Sequence, residues 1–133
     1  HTPDALQAVC SELKKKNHKG LKLVFGAGGD RDQGKRGLMG DIAQKYAKKI
    51  YITSDNPRFE KPEEIIDMIA VGISDKNKVV IESDRAKAIR LAIDQLNEGE
   101  ILLITGKGHE EYQIIGDEKI PFSDYEEILK CIK

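Results

Sequence analysis

The sequence lacks several features that would assign it to a familiar class at once. Its 22 lysines and arginines are balanced by 23 acidic residues, so a net charge of −1 gives no basic excess for nucleic acid or an anionic membrane. Its apolar runs are only a few residues long, and none predicts a membrane span. No secretory signal is visible, and because the chain begins at His1 we expect a fragment or a processed product.

Cysteines are equally scarce. Cys10 and Cys131 are the only two, and they lie near opposite ends without metal or redox spacing. We therefore expect reduced thiols in a cytoplasmic protein. We also expect a monomer. No Cys/His cluster indicates zinc and no Ser/His/Asp order is compelling, so the sequence predicts neither a metal site nor a catalytic residue.

What the sequence does contain is an alternation of short apolar strands with helices of about a dozen residues. Strands are predicted within LKLVFGAGG, KIYITSDNP, KVVIES and EILLITGKG. These segments are nearly continuous in apolar residues, as expected for strands buried on both faces. The 133 residues therefore predict one α/β domain, an open and mainly parallel sheet with helices on both faces and a C-terminal antiparallel hairpin.

Element boundaries follow from caps and turn residues. A helix is predicted to start at Thr2-Pro3-Asp4 and another at Pro62. Asp84 is predicted to cap a helix that ends at Gly99. A hairpin is predicted about Gly116-Asp117, with a closing helix capped by Ser123 or Asp124.

Three loops at the predicted strand ends carry glycine and charge: GAGGDRD, SDNPR and GKGHEE. In parallel α/β sheets, ligands bind beyond the carboxyl ends of the strands. The three loops are therefore predicted to converge on one ligand site.

The loop of residues 29–36 reads GDRDQGKR, which matches a phosphate-binding P-loop except at Arg36, where Ser or Thr is required. Its two aspartates would place negative charge against a phosphate. Cationic side chains in the loop could still meet an anion at the helix N-terminus; they are Arg31, Lys35 and Arg36. A tight turn with solvated charges is the alternative interpretation.

The DNPR loop ends in Arg58, directly after Pro57. A guanidinium fixed by a rigid residue suits bidentate capture of a carboxylate, whereas a plain turn would leave it in solvent. In GKGHEE, Glu110 could hold a ligand ammonium. His109 could serve as a base or as a structural hydrogen-bonding residue.

Together and in this order, GGDRDQGKR, DNPR and GKGHEEYQ, with HTPDAL at the front, closely resemble the C-terminal domain of the Mur ligases. The resemblance covers essentially the whole chain. Within the family the chain is similar to the UDP-N-acetylmuramoyl-tripeptide synthetases of peptidoglycan synthesis. It implies a Rossmann-like domain spanning residues 1–133, with the N-terminal and central ATP-binding domains of a cytoplasmic ligase outside the chain.

The resemblance also implies a reaction. ATP and Mg²⁺ would activate the D-glutamate side-chain carboxylate of UDP-MurNAc-L-Ala-D-Glu as an acyl phosphate. The amino group of meso-diaminopimelate or L-lysine would then attack. Because the ATP and Mg²⁺ sites belong to the central domain, this chain is expected to bind the incoming amino acid and to be inactive alone.

The matching motif positions name the expected contacts of that amino acid: Arg31, Asn56, Arg58, Gly106 and Glu110. Weaker candidates for substrate or nucleotide contact are His1, Asp55, Lys35 and Arg36. Diaminopimelate differs from lysine by a second carboxylate, with which Arg58 could pair. Losing one partner of such a desolvated pair costs about 2–5 kcal/mol, so Arg58 favours diaminopimelate.

Three alternatives stay open at this point. A lysine-adding ligase would use the same fold, although Arg58 argues against it. A stand-alone module could use residues 29–36 to bind a nucleotide or phosphate. A scaffold domain without a small ligand is the third.

Overall fold

The computed structural model describes residues 2–30, 33–107 and 110–132. The helices are α1 (Pro3–Lys14), α2 (Gly34–Tyr46), α3 (Pro62–Val71), α4 (Arg85–Asp94) and α5 (Asp124–Cys131). The strands are β1 (Leu21–Phe25), β2 (Lys49–Ile52), β3 (Val79–Ile81), β4 (Ile101–Ile104), β5 (Tyr112–Ile115) and β6 (Glu118–Pro121). A short 3-10 helix, Lys76–Lys78, leads into β3.

Four strands form a parallel sheet in the order β3-β2-β1-β4, and β5 and β6 form the antiparallel hairpin. At the centre of the sheet, Leu23 lies between Ile50 and Leu103. The chain moves from β1 to one side of the sheet and later returns to the other with β4. The predicted fold class is confirmed, and the point where the strand order reverses lies between β1 and β4.

Both faces of the sheet are covered, which explains the continuous apolar strands. On one face, Leu21, Leu23 and Phe25 pack with the apolar residues of α1, α2 and α3. On the other, Val24 and Tyr51 pack with α4 and α5. Side chains alternate between the two faces along β1, so Leu23 and Phe25 pack on one face and Val24 packs on the other.

The predicted helix starts are confirmed at both ends of the chain. Thr2 caps α1 by accepting a hydrogen bond from the Ala5 N–H (3.1 Å), and Ser123 caps α5 by accepting one from the Glu126 N–H (3.2 Å). Asp84 caps α4 as predicted.

The predicted end of α4 at Gly99 is wrong. The helix ends at Asp94, and Gly99 lies in the following turn with φ of +87°. Tertiary contacts hold the helix end, because the Gln95 carbonyl oxygen accepts a hydrogen bond from Lys22 Nζ (2.6 Å) and the Gln95 side chain accepts one from Tyr51 OH (2.6 Å).

Within the described ranges, none of the helices is long and apolar enough to cross a bilayer. Both cysteines are free thiols. Burial raises the pKa of the Cys10 thiol.

Candidate functional site

A cavity of about 520 Å³ lies at the carboxyl edge of the sheet. Its walls come from the loops after β1 and β2, the start of α2, and the hairpin. They are lined by Thr2, Ala27, Gly28, Lys35, Arg36, Met39, Asp55, Asn56, Arg58, Glu110, Tyr112 and Ile114. The predicted convergence of the three charged loops is therefore observed, and the hairpin adds a wall that the loop pattern alone did not indicate.

Asn56 connects the segments that form the cavity wall. Its side-chain Oδ1 accepts hydrogen bonds from Lys107 Nζ (2.7 Å) and from the Ile114 N–H (2.9 Å). Its Nδ2 donates to Glu110 Oε1 (3.3 Å). Its backbone carbonyl accepts from the Gly29 N–H (2.7 Å). One buried side chain thus links the β2 loop, the β4 loop and the hairpin.

Two opposite charges are buried immediately behind this wall. Lys107 Nζ lies 3.0 Å from Asp55 Oδ1, and both side chains are fully buried. Lys107 also donates to the Tyr112 carbonyl oxygen (3.1 Å). A buried ion pair requires further hydrogen bonds to compensate for lost hydration, and the Tyr112 and Asn56 oxygens supply them.

Arg58 is held in place from three sides. Its backbone has φ of +54°, a left-handed conformation that is uncommon for a residue with a Cβ. Its N–H donates to the Ile114 carbonyl (3.0 Å), and its carbonyl accepts from the Gly116 N–H (2.6 Å). Nη1 donates to the Gly29 carbonyl (3.0 Å). Arg58 is therefore half-buried and fixed, rather than free in solvent.

The loop after β4 carries two further candidates, Gly106 and Glu110. Glu110 keeps its carboxylate at the cavity, with Oε1 3.7 Å from Lys107 Nζ. Gly106 follows β4 with φ of +112°, a conformation that side chains rarely adopt. It lies against a second, smaller cavity of about 60 Å³ with Gly26 and Thr105.

The start of α2 uses its two basic residues differently. Lys35 is exposed and lines the cavity. Arg36 is buried and forms a two-point ion pair with Glu60, from Nη1 to Oε1 (2.9 Å) and from Nη2 to Oε2 (2.7 Å). The Arg36 hydrogen bonds, helped by the Asp30 N–H, lower the pKa of Glu60 to about 2. Arg36 is thus already bound to a protein carboxylate.

The structure also contains a buried ion pair that sequence reasoning missed. Arg85 binds Asp124 through Nε–Oδ1 and Nη2–Oδ2 contacts of 2.7 Å each. It further donates to the carbonyl oxygens of Ser54 (3.0 Å) and Thr105 (3.2 Å). These carbonyls follow β2 and β4, so Arg85 joins two strand ends to the start of α5. Only the placement of Arg85 directly after a helix cap could have drawn attention to it.

Three residues singled out in the sequence, His1, Arg31 and His109, lie outside the described residues. The remaining candidates, Lys35, Arg36, Asp55, Asn56, Arg58 and Glu110, all line the larger cavity, whereas Gly106 lines the smaller one. In the part of the chain that is described, no group of three or more His, Cys, Asp and Glu side chains could hold a metal ion.

Comparison with known proteins gives the same family for the whole fold and for most of the chain. The family model described as "Mur ligase, glutamate ligase domain" matches residues 1–108. The chain is 54% identical over 132 residues to the UDP-N-acetylmuramoyl-L-alanyl-D-glutamate--2,6-diaminopimelate ligase of Aquifex aeolicus, covering 99% of the chain and 27% of that protein. It is 53% identical to the ligase of the same name from Rickettsia typhi, again over 99% of the chain and 27% of that protein.

The solved structures agree with this result. A structure of a UDP-N-acetylmuramoyl-L-alanyl-D-glutamate--2,6-diaminopimelate ligase superposes with a TM-score of 0.93 at 43% identity. The match covers 99% of this chain and 27% of that one, so the chain spans about a quarter of the proteins it matches. Sequence, fold and family model concur: the chain belongs to the Mur ligase family, as a glutamate ligase domain.

Proposed function

We propose that this chain is the amino-acid-binding domain of an ATP-dependent ligase that adds meso-diaminopimelate to UDP-MurNAc-L-Ala-D-Glu in peptidoglycan synthesis. The observation that carries the proposal is the cavity in which Arg58, Asn56 and Glu110 meet. The names of the relatives, which specify 2,6-diaminopimelate, support the same substrate. The proposal includes a monomeric, cytoplasmic protein with residues 1–133 as one domain of the ligase.

The charges of the cavity suit a ligand with carboxylates and ammonium groups. Among the described residues that line the cavity, Arg58 and Lys35 are the cations available to a ligand, since Arg36 is paired with Glu60. Glu110 offers a partly exposed carboxylate in the same cavity for an ammonium group. An amino acid with two carboxylates and two amines satisfies both signs of charge, which a simple phosphate would not.

We propose that Arg58 binds the carboxylate that distinguishes diaminopimelate from lysine. Its Nη1 is engaged with backbone carbonyls, whereas no described residue accepts a hydrogen bond from Nε or Nη2. Those two nitrogens present the parallel N–H groups that bind a carboxylate at two points. In the ligation step this domain would hold the diamino acid and orient its attacking amine.

The proposed ligase requires ATP and Mg²⁺, but the described residues of this chain do not fit a complete nucleotide–magnesium site. They contain no cluster of metal-binding side chains. Residue 36 is an ion-paired arginine where a P-loop needs a hydroxyl. We therefore derive no step through either group here, and the proposal assigns both to other parts of the ligase.

The test is a two-dimensional amide NMR titration of the 133-residue chain with meso-diaminopimelate, L-lysine and ATP in parallel. We expect shifts at Asn56, Arg58, Gly106 and Glu110 with diaminopimelate, and their loss in Arg58→Ala. Removing one partner of a buried charge pair costs about 2–5 kcal/mol, so the affinity should fall at least tenfold.

The comparison ligands identify the other outcomes. Equal or stronger shifts with L-lysine would indicate a lysine-adding ligase instead. Shifts restricted to the loop before α2, produced by ATP alone, would replace the amino-acid site with a phosphate site. An Arg90→Ala variant, which changes an exposed arginine on α4, is the control and should bind as the unmodified chain does.

A further inference from the structure

Lys107 contacts several oxygens behind the cavity wall without lining the cavity itself. Its ammonium lies within 2.7 Å of Asn56 Oδ1, 3.0 Å of Asp55 Oδ1 and 3.1 Å of the Tyr112 carbonyl oxygen. The residue is only 3% exposed, and the cavity is lined by its partners rather than by Lys107 itself. Any effect on a ligand must therefore pass through the partners of Lys107 that line the cavity: Asn56, Asp55, Glu110 and Tyr112.

The contact with Asn56 has a chemical consequence that a simple ion pair would not have. Two donors, the Lys107 ammonium and the Ile114 N–H, point at the same Asn56 oxygen. An ammonium group can only donate hydrogen bonds, so Lys107 is compatible with only one of the two orientations of the Asn56 side-chain amide. The Asn56 oxygen must face Lys107, and Nδ2 must face the cavity side, where it donates to Glu110.

We propose that Lys107 is a positioning residue for substrate selectivity. Because Lys107 donates a hydrogen bond to Asn56 Oδ1, the Asn56 side chain offers only hydrogen-bond donors to the cavity. An amide nitrogen carries two N–H groups, and Glu110 accepts one of them. The other selects an oxygen of the ligand, as in a carboxylate, and disfavours an ammonium. This inference rests on the proposed function and deepens it.

A second buried lysine shows why burial alone does not explain this arrangement. Lys22 donates to the Gln95 carbonyl (2.6 Å) and pairs with Glu100 (2.9 Å). It is buried to a similar extent, at 6% exposure, but none of its partners lines the cavity. Lys22→Met therefore serves as the matched control for Lys107→Met, since each removes a buried ammonium.

The experiment measures the ratio of the dissociation constants for meso-diaminopimelate and L-lysine by NMR titration of the 133-residue chain. For Lys107→Met we expect the preference for diaminopimelate to fall about tenfold or more, because only the Ile114 N–H then holds the Asn56 oxygen and the amide can turn that oxygen to the cavity. Lys22→Met should lower stability and leave the ratio unchanged. Thermal unfolding of each variant shows that the folded forms are compared.

The ratio of the two dissociation constants is the readout that a purely structural role would not move, and the side-chain amide signals of Asn56 report directly on the contact. In the unmodified chain they should shift when diaminopimelate binds. In Lys107→Met they should already differ before any ligand is added, while Lys22→Met should leave them unchanged. If Lys107→Met does not fold, Lys107→Met/Asp55→Asn removes both buried charges together and tests the same contact, with Asp55→Asn alone measuring the share of Asp55.

The outcomes separate the two proposals. If the unmodified chain binds diaminopimelate selectively and the folded Lys107 variant keeps that selectivity, the positioning role is wrong and the proposed function stands. If the unmodified chain binds neither amino acid, or both equally, the positioning role falls together with the selectivity it was meant to explain.

Discussion

A lysine is buried at each end of the parallel sheet, but the two lysines have different hydrogen-bond partners. At the amino end, Lys22 and Lys48 share the carboxylate of Glu100, with contacts of 2.9 and 2.6 Å. At the carboxyl end, Lys107 pairs with Asp55 and gives its shortest hydrogen bond to the neutral amide of Asn56. The lysines of the first cluster only neutralise a carboxylate. Lys107 in the second cluster also fixes the side chain of Asn56, which lines the cavity.

The difference separates two reasons for burying a charge. Neutralising a buried carboxylate with two lysines holds strands together and leaves nothing for a ligand to recognise. Lys107 is also neutralised by a buried carboxylate, that of Asp55, but it donates a second hydrogen bond to an amide and so fixes the orientation of that amide.

The largest expected effect comes from the other buried ion pair of the carboxyl end. Arg85→Met leaves Asp124 buried without its partner, and two strand-end carbonyls lose a donor. We expect a loss of about 3–5 kcal/mol in the free energy of unfolding, measured by urea denaturation. Arg90→Met on the same helix is exposed and should change stability by less than about 0.5 kcal/mol. A similar loss in both variants would contradict this assignment.

The next effect concerns the tight backbone of the same edge. A Cβ added at Gly29 would overlap the carbonyl oxygen of Pro57, so the two loops would have to separate. We expect Gly29→Ala to cost about 1–3 kcal/mol of unfolding free energy and to weaken diaminopimelate binding.

Gly37 offers the matched control, because a Cβ there would meet only the Met68 carbonyl oxygen at 3.9 Å. Gly37→Ala should be neutral or stabilising by up to about 1 kcal/mol, since alanine favours a helix more than glycine does. Equal losses at the two glycines would show that loop spacing is not the cause.

A smaller effect is expected at the amino end. Tyr51→Phe removes the hydrogen bond from Tyr51 OH to Gln95 Oε1, which belongs to an exposed side chain that water can reach. We expect a loss of about 0.5–1.5 kcal/mol by urea denaturation and no change in ligand affinity. A change in affinity would show that the two edges are coupled.

The smallest expected difference is in how the two edges of the sheet contribute to the loss of stability in acid. Hydrogen bonds from basic side chains lower the pKa of Glu60 at the carboxyl end and of Glu100 at the amino end, each to about 2. A carboxyl group whose pKa is lowered in the folded protein stabilises the fold at any pH above its ordinary pKa of 4.5. That contribution is lost as the pH falls toward the folded pKa of about 2.

Stability should therefore decrease below pH 4.5, and Glu60→Gln and Glu100→Gln should flatten that decrease to a similar extent. Unfolding measured across this pH range tests it. A flattening confined to one variant would show that only one edge is sensitive to acid.

The sequence predicted those features that depend on residues close together in the chain. The cap at Thr2, the start at Pro62 and the turn about Gly116-Asp117 each need only a few neighbours, and the structure has all three. The end of α4 was predicted wrongly because Gly99 was the only local signal. The contacts of Lys22 and Tyr51 with Gln95, which hold the end of the helix, come from distant strands.

The same limit applied to the site. The loop pattern placed Asn56, Arg58 and Glu110 at one edge, and these residues do line one cavity. It did not indicate that Arg36 would be taken by Glu60, or that Arg85 would be buried against Asp124. A charged residue is buried only when a partner from elsewhere in the fold compensates it, and one sequence does not identify that partner.

The attachment of the hairpin has a consequence for local unfolding. Among the described residues, the hairpin is held to the β2 loop by hydrogen bonds to Ser54, Asn56 and Arg58, made by Gln113 Nε2, the Ile114 N–H, the Ile114 carbonyl and the Gly116 N–H. If the hairpin swings away, all of them break and the cavity loses a wall in the same event. The amide hydrogens of Ile114 and Gly116 should therefore exchange with solvent at the rate at which the site itself opens, and an amino acid bound there should slow both together.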